Sequence, residues 1–150
     1  MQTKTLEVTA KKSIALVAHD NRKEDLIRWC NNYRNDLVQH QLFATGTTGK
    51  KLERSLNLPI HALLSGPMGG DQQLGAMIAE QKLDLLIFFW DPMDAQPHDP
   101  DIKALLRIAA VWNLPVACNE STADFMLTSA LFNAAHQRQV PDYSAYLNNR

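Results

Sequence analysis

A segment rich in glycine and threonine, residues 45–49 (TGTTG), precedes a stretch with helical spacing. Glycines let backbone N–H groups approach an oxyanion closely, a helix N-terminus adds partial positive charge, and threonines add O–H donors. The segment therefore has the composition of a phosphate cradle, although it is neither GxGxxG nor a Walker loop. A plain strand–helix turn with threonine as the N-cap is the alternative. Lys23, in a neighbouring loop, favours the cradle because its charge would neutralise a dianion.

A second segment, Ser65–Asp71, contains three glycines and a proline in seven residues. Such a composition costs chain entropy on folding, so we expect an unusual backbone conformation there. Asp71 falls where the next helix is expected to begin. It would either cap that helix, which contributes about 1 kcal/mol, or act as a carboxylate base over a ligand. A capping aspartate has a lowered pKa and is a weaker base, and the spacing does not choose between the two roles.

Two histidines are candidates for acid–base or metal chemistry. His98 lies in a loop stiffened by prolines, and His19 ends an apolar run. A lone loop histidine is usually solvated, but these two accompany five aspartates: Asp20, Asp71, Asp91, Asp99 and Asp101. A metal site is the weaker hypothesis, because no HxH, HxxxH or HExxH spacing is present. A serine or cysteine nucleophile has little support, because there is no GxSxG and neither cysteine lies near a histidine at a strand end.

Short apolar runs alternate with longer stretches of helical spacing. The apolar runs predict five strands, at residues 13–18, 41–44, 60–64, 83–90 and 115–118. The stretches between and after them predict helices at residues 21–37, 47–57, 70–81, 99–112 and 122–131. Continuously apolar strands alternating with helices indicate a parallel sheet covered on both faces. We therefore expect a single-domain α/β three-layer sandwich, doubly wound around a mainly parallel five-stranded sheet, flavodoxin- or Rossmann-like.

Other local signals are weaker. Asp99 is expected to be an N-cap, because a proline follows it at the first helical position. Gln139-Val140 is expected to form a short edge strand, and residues 143–150 a final turn or short helix. Leu26, Trp29 and Tyr33 share one helical face and are expected in the core, as are Phe125 and Met126.

The candidate residues cluster just after the predicted strands. Ligands of doubly wound folds bind at the carboxyl ends of the strands, where strand order reverses. The loops that follow the first four strands hold most of the glycines and several isolated polar groups, whereas the opposite strand ends are plain. The sequence therefore predicts one site formed by these loops.

Composition limits the function classes. The chain has 150 residues and a formal net charge of −1, so no global positive field exists for nucleic acid or an anionic membrane. Cys30 and Cys118 are far apart, so neither a disulfide framework nor a zinc site is expected. The longest apolar run, Leu85–Trp90, is far shorter than the roughly 20 residues of a membrane span. We expect one cytoplasmic domain over residues 1–150.

The sequence resembles the methylglyoxal synthase family over nearly its whole length. The longest matching blocks are SGPMGGDQQ (65–73) and PHDPD (97–101), which are far more specific than a lone glycine pattern. Further matching segments are LVAHD (16–20) with Lys23, ATGTTG (44–49), FFWDP (88–92), Trp112-Asn113, Asn119 with Thr122–Asp124, Pro141–Tyr143 and Arg150. The departures, in residues 1–10, 50–61 and 129–140, lie outside these blocks and would affect subunit contacts.

The resemblance implies conversion of dihydroxyacetone phosphate to methylglyoxal and inorganic phosphate, without metal or organic cofactor. It also implies a homohexamer, often inhibited by phosphate. Asp71 would be the catalytic base, His98 would bind the carbonyl and hydroxyl end of the substrate, and Asp101 would assist. The residues expected to bind the substrate, mostly through its phosphate, are His19, Asp20, Lys23, Thr45, Gly46, Thr47, Thr48, Ser65, Gly66 and Asp91. Arg150 would enter the site of its own or a neighbouring subunit.

Base catalysis requires a partly desolvated Asp71, so its pKa should rise toward the working pH, and Asp101 should push it the same way. Two alternatives remain open. A non-catalytic regulatory domain of the same fold would bind a phosphorylated metabolite and would not need Asp71 or His98. A metal-dependent hydrolase would use the aspartates instead.

Overall fold

The computed structural model describes residues 1–150 and is built around a five-stranded parallel sheet. The chain forms seven strands: β1 (Thr3–Val8), β2 (Ser13–Ala18), β3 (Gln41–Thr45), β4 (His61–Leu63), β5 (Leu85–Phe89), β6 (Val116–Ala117) and β7 (His136–Pro141). The sheet has the order β4-β3-β2-β5-β6, and every neighbouring pair in it is parallel. The expected α/β class and five-stranded parallel sheet are confirmed.

The central strand β2 explains why the apolar runs do not alternate with polar residues. Ile14 is paired with Leu42 of β3 and Leu85 of β5, so both edges of the strand are occupied. Ile14 belongs to the core on one face of the sheet, and Ala15 and Val17 belong to the core on the other. Because helices cover both faces, the five buried positions after Ser13, residues 14–18, all require apolar side chains.

Seven α-helices and two short 3₁₀ turns, at residues 20–22 and 66–68, complete the chain. The α-helices are α1 (Lys23–Asn32), α2 (Arg34–Leu37), α3 (Gly46–Leu56), α4 (Gly70–Ala79), α5 (Asp99–Val111), α6 (Glu120–Leu127) and α7 (Tyr143–Asn148). Trp29 of α1, Leu52 of α3 and Leu127 of α6 pack on one face of the sheet. Leu74 of α4 and Leu105 of α5 pack on the other. None of these helices combines the length and apolar character that crossing a membrane requires.

A two-stranded antiparallel ribbon of β1 and β7 stands apart from the main sheet. Gln139 and Val140 do form part of a strand, β7, but it is not an edge strand of the main sheet, because it pairs with β1. No strand was expected at residues 3–8, where most side chains are exposed and polar. Its pairing depends on main-chain hydrogen bonds to the other end of the chain, which local sequence patterns do not reveal.

Two local expectations are wrong. His98, and not Asp99, is the N-cap residue of α5; Asp99 is its first helical residue and accepts a hydrogen bond from the Gln96 amide at 3.2 Å. Phe125 is 80% exposed, because Ala123 and Leu127 form the buried face of α6. Met126 packs partly buried against the core, as expected.

The order of the strands reverses in the middle of the sheet, between β2 and β5. From β2 the chain moves outward to β3 and β4, and then returns to pair β5 with the other edge of β2. The loops after β2 and β5 therefore flank the point where strand order reverses. Ligands of such folds bind at this point.

Candidate active site

A cavity of about 130 Å³ opens at the carboxyl ends of β2, β3 and β5. It is small compared with the roughly 300–1,000 Å³ of sites that take drug-sized ligands. All but three of the expected site residues line it: His19, Asp20, Lys23, Thr45, Gly46, Thr47, Thr48, Ser65, Gly66, Asp71 and His98. Loops far apart in sequence thus meet at one place, as the strand-end pattern predicts.

The N-terminus of α3 forms one wall of the cavity. Thr45 occupies its N-cap position, but no side chain caps the helix. Gly46 has φ of 55°, and its amide donates to the Leu64 carbonyl at 3.3 Å, which joins the TGTTG turn to the neighbouring loop. Thr45 and Thr48 are buried beside the first turn. Because no side chain satisfies the first amide groups, this end of the helix is suited to an anion.

Lys23 brings a positive charge to the same wall. Its ammonium donates to the Thr47 hydroxyl at 3.0 Å and forms an ion pair with Asp20 at 2.7 Å. The hydrogen bond from Lys23 holds the pKa of Asp20 below its usual range. The side chain of Asp20 is 91% exposed, so the pair contributes little to stability, and the Lys23 charge can be offered to a ligand.

Asp71 is the second residue of α4 and does not cap it, because Gly69 is the N-cap residue and no side chain caps the helix. Only 4% of the residue's surface is exposed, and the Oδ2 atom of its carboxylate has no hydrogen-bond partner. Burial raises the pKa of Asp71, the charge of His98 opposes that rise, and Asp101 adds to it. Both the upward shift of the Asp71 pKa and the contribution of Asp101 to it agree with the expectation from the sequence. An unsatisfied, desolvated carboxylate is a stronger base than a capping one.

His98 approaches Asp71 closely but forms no hydrogen bond with it. The Nε2 atom of His98 lies 3.6 Å from Oδ2 of Asp71, and its Nδ1 atom is buried without a partner. Gly66 makes this arrangement possible. A Cβ atom there would lie 2.8 Å from His98 Nε2 and 3.3 Å from Asp71 Oδ2. The glycine in the SGPMGG segment is therefore required by space, at the point where base and histidine meet.

His19 lines the cavity, and only one of its two ring nitrogens has a partner within the protein. Its Nδ1 atom accepts a hydrogen bond from the Asp91 amide at 3.1 Å, whereas its Nε2 atom is buried without a partner. Burial, and then the neighbouring His98, lower the pKa of His19. The ring is therefore neutral near pH 7, and its proton is on Nε2 because an amide N–H cannot accept.

Comparisons with a family model, with relatives in sequence and with a solved structure all point to one family. A family model described as "MGS-like domain" matches residues 25–118. A "Methylglyoxal synthase" of Cellvibrio japonicus is 58% identical over 150 residues, which cover all of this chain and 97% of the relative. One of Actinobacillus pleuropneumoniae is 59% identical over 150 residues, which cover all of this chain and 99% of the relative. This chain belongs to the methylglyoxal synthase family.

The fold of the methylglyoxal synthase family is matched as well. The crystal structure of methylglyoxal synthase from Elizabethkingia anophelis NUHP1 has a TM-score of 0.90 and 50% sequence identity to this chain. The match covers 98% of this chain and 97% of that chain. The resemblance inferred from the sequence motifs is therefore confirmed at the level of family and fold.

Three residues that the family resemblance assigns to the site do not line the cavity. Asp91 is buried behind it and bonds to Asn21 and the Met93 amide. Asp101 lines a groove between α4 and α5 that also reaches Asp71. Arg150 lies at the C-terminus, with its guanidinium 4.8 Å from the Tyr146 ring centroid. Within its own chain, Arg150 is not part of the cavity wall.

Sequence reasoning missed two polar residues near the site. Gln96 lines the cavity from the loop before α5, and Asn21 donates from the turn after β2 to the Asp91 carboxylate at 2.9 Å. Both follow predicted strands, so the strand-end rule could have included them. No group of three or more His, Cys, Asp and Glu side chains is placed to hold a metal ion.

Proposed function

We propose that this chain converts dihydroxyacetone phosphate to methylglyoxal and inorganic phosphate at the cavity described above. It would then be a carbon–oxygen lyase that acts on a phosphate ester. One observation carries the proposal: the unsatisfied carboxylate of Asp71 and the uncapped N-terminus of α3 line the same small cavity. A base and an anion cradle in one cavity of about 130 Å³ suit a three-carbon phosphate ester.

The phosphate is bound first by the cradle. The amides of the first turn of α3, the hydroxyls of Thr45, Thr47 and Thr48, and the Lys23 ammonium supply its donors. Ser65 and Gly66 line the cavity between this cradle and Asp71. The net charge of the chain is close to zero, so the dianion is neutralised locally by Lys23 and the helix terminus.

Proton abstraction comes next. The Asp71 carboxylate removes a proton from the hydroxymethyl carbon beside the ketone, and the electron pair of that C–H bond moves to the carbonyl oxygen. Nε2–H of His19 and the ring of His98 stabilise this oxygen as it becomes negative. General base catalysis contributes about 10²–10⁴-fold and one oxyanion donor about 10²–10³-fold.

Elimination completes the reaction. The hydroxyl of the enediolate loses its proton, a new C=O bond forms at that carbon, and the double bond shifts toward the phosphate-bearing carbon. The C–O bond to phosphate breaks, and its electron pair leaves with the phosphate, which takes up the hydroxyl proton. The proton that Asp71 took up is then transferred to the CH₂ end of the remaining enolate, which becomes the methyl group, and Asp71 is ionised again for the next turnover.

The cradle also selects the product. Expulsion of phosphate is fast only when the breaking C–O bond is perpendicular to the enediolate plane, because the π electrons then overlap that bond. The Thr47–Lys23 contact fixes one side of the phosphate, so the cradle can hold this torsion while it stabilises the leaving dianion. Free phosphate would occupy the same cradle and inhibit the enzyme.

We further propose that residues 1–150 act as one domain in a cytoplasmic homohexamer. Arg150 does not line the cavity of its own chain, so a role for it in catalysis requires a neighbouring subunit. Met68, Met93 and Phe125 are each more than 70% exposed, at 73%, 93% and 80%, and an assembly would cover such side chains. Native mass spectrometry tests this: a monomer in dilute solution would contradict it.

The test of the function is an assay with purified protein, dihydroxyacetone phosphate and no added metal. We expect equal amounts of free phosphate and of the dicarbonyl product, and unchanged rates after exhaustive chelation. Asp71→Asn should bind phosphate normally and turn over no substrate. Phosphate binding without turnover in the unmodified protein would favour a regulatory domain, and loss of activity on chelation would favour a metal-dependent hydrolase.

A further inference from the structure

The loops after β2 and β5 are joined by a chain of three hydrogen bonds behind the cavity. The Asn21 amide donates to Oδ2 of Asp91 at 2.9 Å, and the Met93 amide donates to Oδ1 of Asp91 at 3.1 Å. The main-chain N–H of Asp91 donates in turn to Nδ1 of His19 at 3.1 Å. These contacts engage both carboxylate oxygens and the amide of one residue, so they fix its main chain as well as its side chain.

This chain of bonds determines which nitrogen of His19 carries the proton. A main-chain N–H can only donate, so Nδ1 must be unprotonated and the proton of the neutral ring must be on Nε2. Nε2 is the buried ring atom without a partner in the protein, and His19 lines the cavity. The proton is therefore on the ring nitrogen that no protein group binds, and this nitrogen is the one left to donate to a ligand.

The carboxylate of Asp91 could disturb this state if it were free. A carboxylate that turned toward Nδ1 would accept a proton from it and favour a charged ring or the opposite tautomer. Asn21 and the Met93 amide bind both carboxylate oxygens and prevent this movement. The same two bonds hold the pKa of Asp91 below its usual range, with Asn21 as the larger cause.

We infer that Asn21 is a positioning residue for catalysis, which holds the Asp91 carboxylate away from His19 and so keeps His19 a neutral Nε2–H donor to the substrate oxygen. The inference rests on the proposed function, and it changes the expected role of Asp91 from substrate binding to orientation of His19. Asn21 itself is exposed and does not line the cavity.

The groups around His19 make its protonation state sensitive to this arrangement. His98 lies across the cavity with its ring centroid 5.7 Å away and opposes a positive charge on His19. Asp91, Asp99 and Asp20 each favour that charge. Lys23 and Asp71 line the same cavity. Since three carboxylates favour the imidazolium, release of one of them should increase the pKa of His19.

The test compares Asn21→Ala and Asn21→Gln with Asn32→Ala, a matched control. Asn32 is an exposed asparagine at the end of α1. Its side chain makes no hydrogen bond. The readouts are the ¹⁵N chemical shifts of the His19 ring, assigned by their loss in a His19→Asn variant, and the pH profile of kcat/KM with dihydroxyacetone phosphate. Thermal unfolding checks that each variant is folded.

In Asn21→Ala, we expect the ¹⁵N signature of a neutral Nε2–H ring to be lost at neutral pH and the pKa of His19 to be higher than in the unmodified protein. Its kcat/KM at pH 7 should fall about 10-fold, less than the 10²–10³-fold typical of removing a donor outright, with the acid limb moved to higher pH. Asn21→Gln, which keeps an amide donor, should recover most of the rate. Ring shifts and a pH profile of Asn21→Ala equal to those of Asn32→Ala would overturn the inference.

The two readouts separate this inference from the proposed function. If the unmodified protein releases no dicarbonyl product, the proposed function fails, whatever the ring shifts show. If the unmodified protein is active while Asn21→Ala leaves the His19 tautomer unchanged, the proposed function stands and the positioning role is wrong. If Asn21→Ala does not fold, Asn21→Gln provides the test: the inference requires that it keeps the Nε2–H signature, and loss of that signature in a folded Asn21→Gln would contradict it.

Discussion

Oδ2 of Asp71 and Nε2 of His98 lie 3.6 Å apart in the cavity, beyond hydrogen-bond distance, and both side chains are buried. Neither Oδ2 of Asp71 nor Nδ1 of His98 has another partner. A buried carboxylate without a hydrogen bond is unfavourable for the folded state, and that free energy is offset elsewhere in the fold. The arrangement makes Asp71 a better base and leaves both groups free to bind substrate.

Asp71→Asn should therefore stabilise the protein at neutral pH. The pKa of Asp71 is raised in the folded state, so folding favours the protonated form, and the ionised form costs stability once the pH exceeds the folded pKa. The amide removes that cost. The gain in melting temperature should be present at pH 7 and should vanish at acid pH, below the ordinary aspartate pKa of about 3.9, where both forms are neutral. The exposed Asp94→Asn variant should show no comparable gain, and an equal gain in both variants would contradict the account.

The pH dependence of turnover in the unmodified protein, where His19 is held neutral, should report the ionisation of Asp71. The ionised form of Asp71 is the active base, so kcat/KM should fall as the pH drops through its pKa. Because burial raises that pKa, the acid limb should lie above the ordinary range of aspartate. Rates measured from pH 4 to pH 9 with constant ionic strength test this. A limb that stays flat down to pH 4 would mean that Asp71 is not the titrating base.

Gly66→Ala should reduce kcat by about 10²-fold without unfolding the protein. Its Cβ atom would lie 2.8 Å from Nε2 of His98, and the imidazole would have to move. A misplacement of about 1 Å can cost 10²-fold in rate. Gly75→Ala in α4 is the matched control, because its Cβ atom would meet only Ile108, at 4.0 Å.

The control variant should keep full activity and gain about 0.5–1 kcal/mol of stability, as expected for glycine to alanine inside a helix. Steady-state kinetics and thermal melts of the two variants give the comparison. Full activity in Gly66→Ala would show that His98 does not need its present position.

Lys23→Ala should weaken phosphate binding and change the fate of the enediolate. A hydrogen bond to a charged group contributes about 1.5–3 kcal/mol, so KM and the inhibition constant for phosphate should rise about 10–100-fold. With the phosphate held less firmly, more of the enediolate should regain a proton. In D₂O, the ratio of deuterium incorporated into recovered substrate to dicarbonyl formed should therefore rise. Lys50→Ala, on the exposed side of α3, should leave both quantities unchanged.

The sequence was most informative where strands end. His19, Thr45–Thr48 and Asp71 follow apolar runs, and a parallel sheet brings such residues to one edge without further information. The buried stripe of Leu26 and Trp29 was also predicted, because a helix packed on a sheet shows a 3.6-residue period.

The remaining features depend on contacts between distant parts of the chain. The β1–β7 ribbon joins the two termini through main-chain bonds, which leave no apolar pattern in either strand. Phe125 is apolar but points away from the core, because neighbouring positions of α6 face the sheet. The role of Asp91 depends on its main-chain N–H, whose direction no side-chain pattern records.

The most direct measurement is the crystal structure of Asp71→Asn with dihydroxyacetone phosphate bound. We predict that the phosphate contacts the first turn of α3 and Lys23, that the hydroxymethyl carbon lies next to the amide of residue 71, and that the ester C–O bond is perpendicular to the plane of the ketone. A phosphate bound away from α3, or an in-plane ester bond with residue 71 turned from the substrate, would contradict the account.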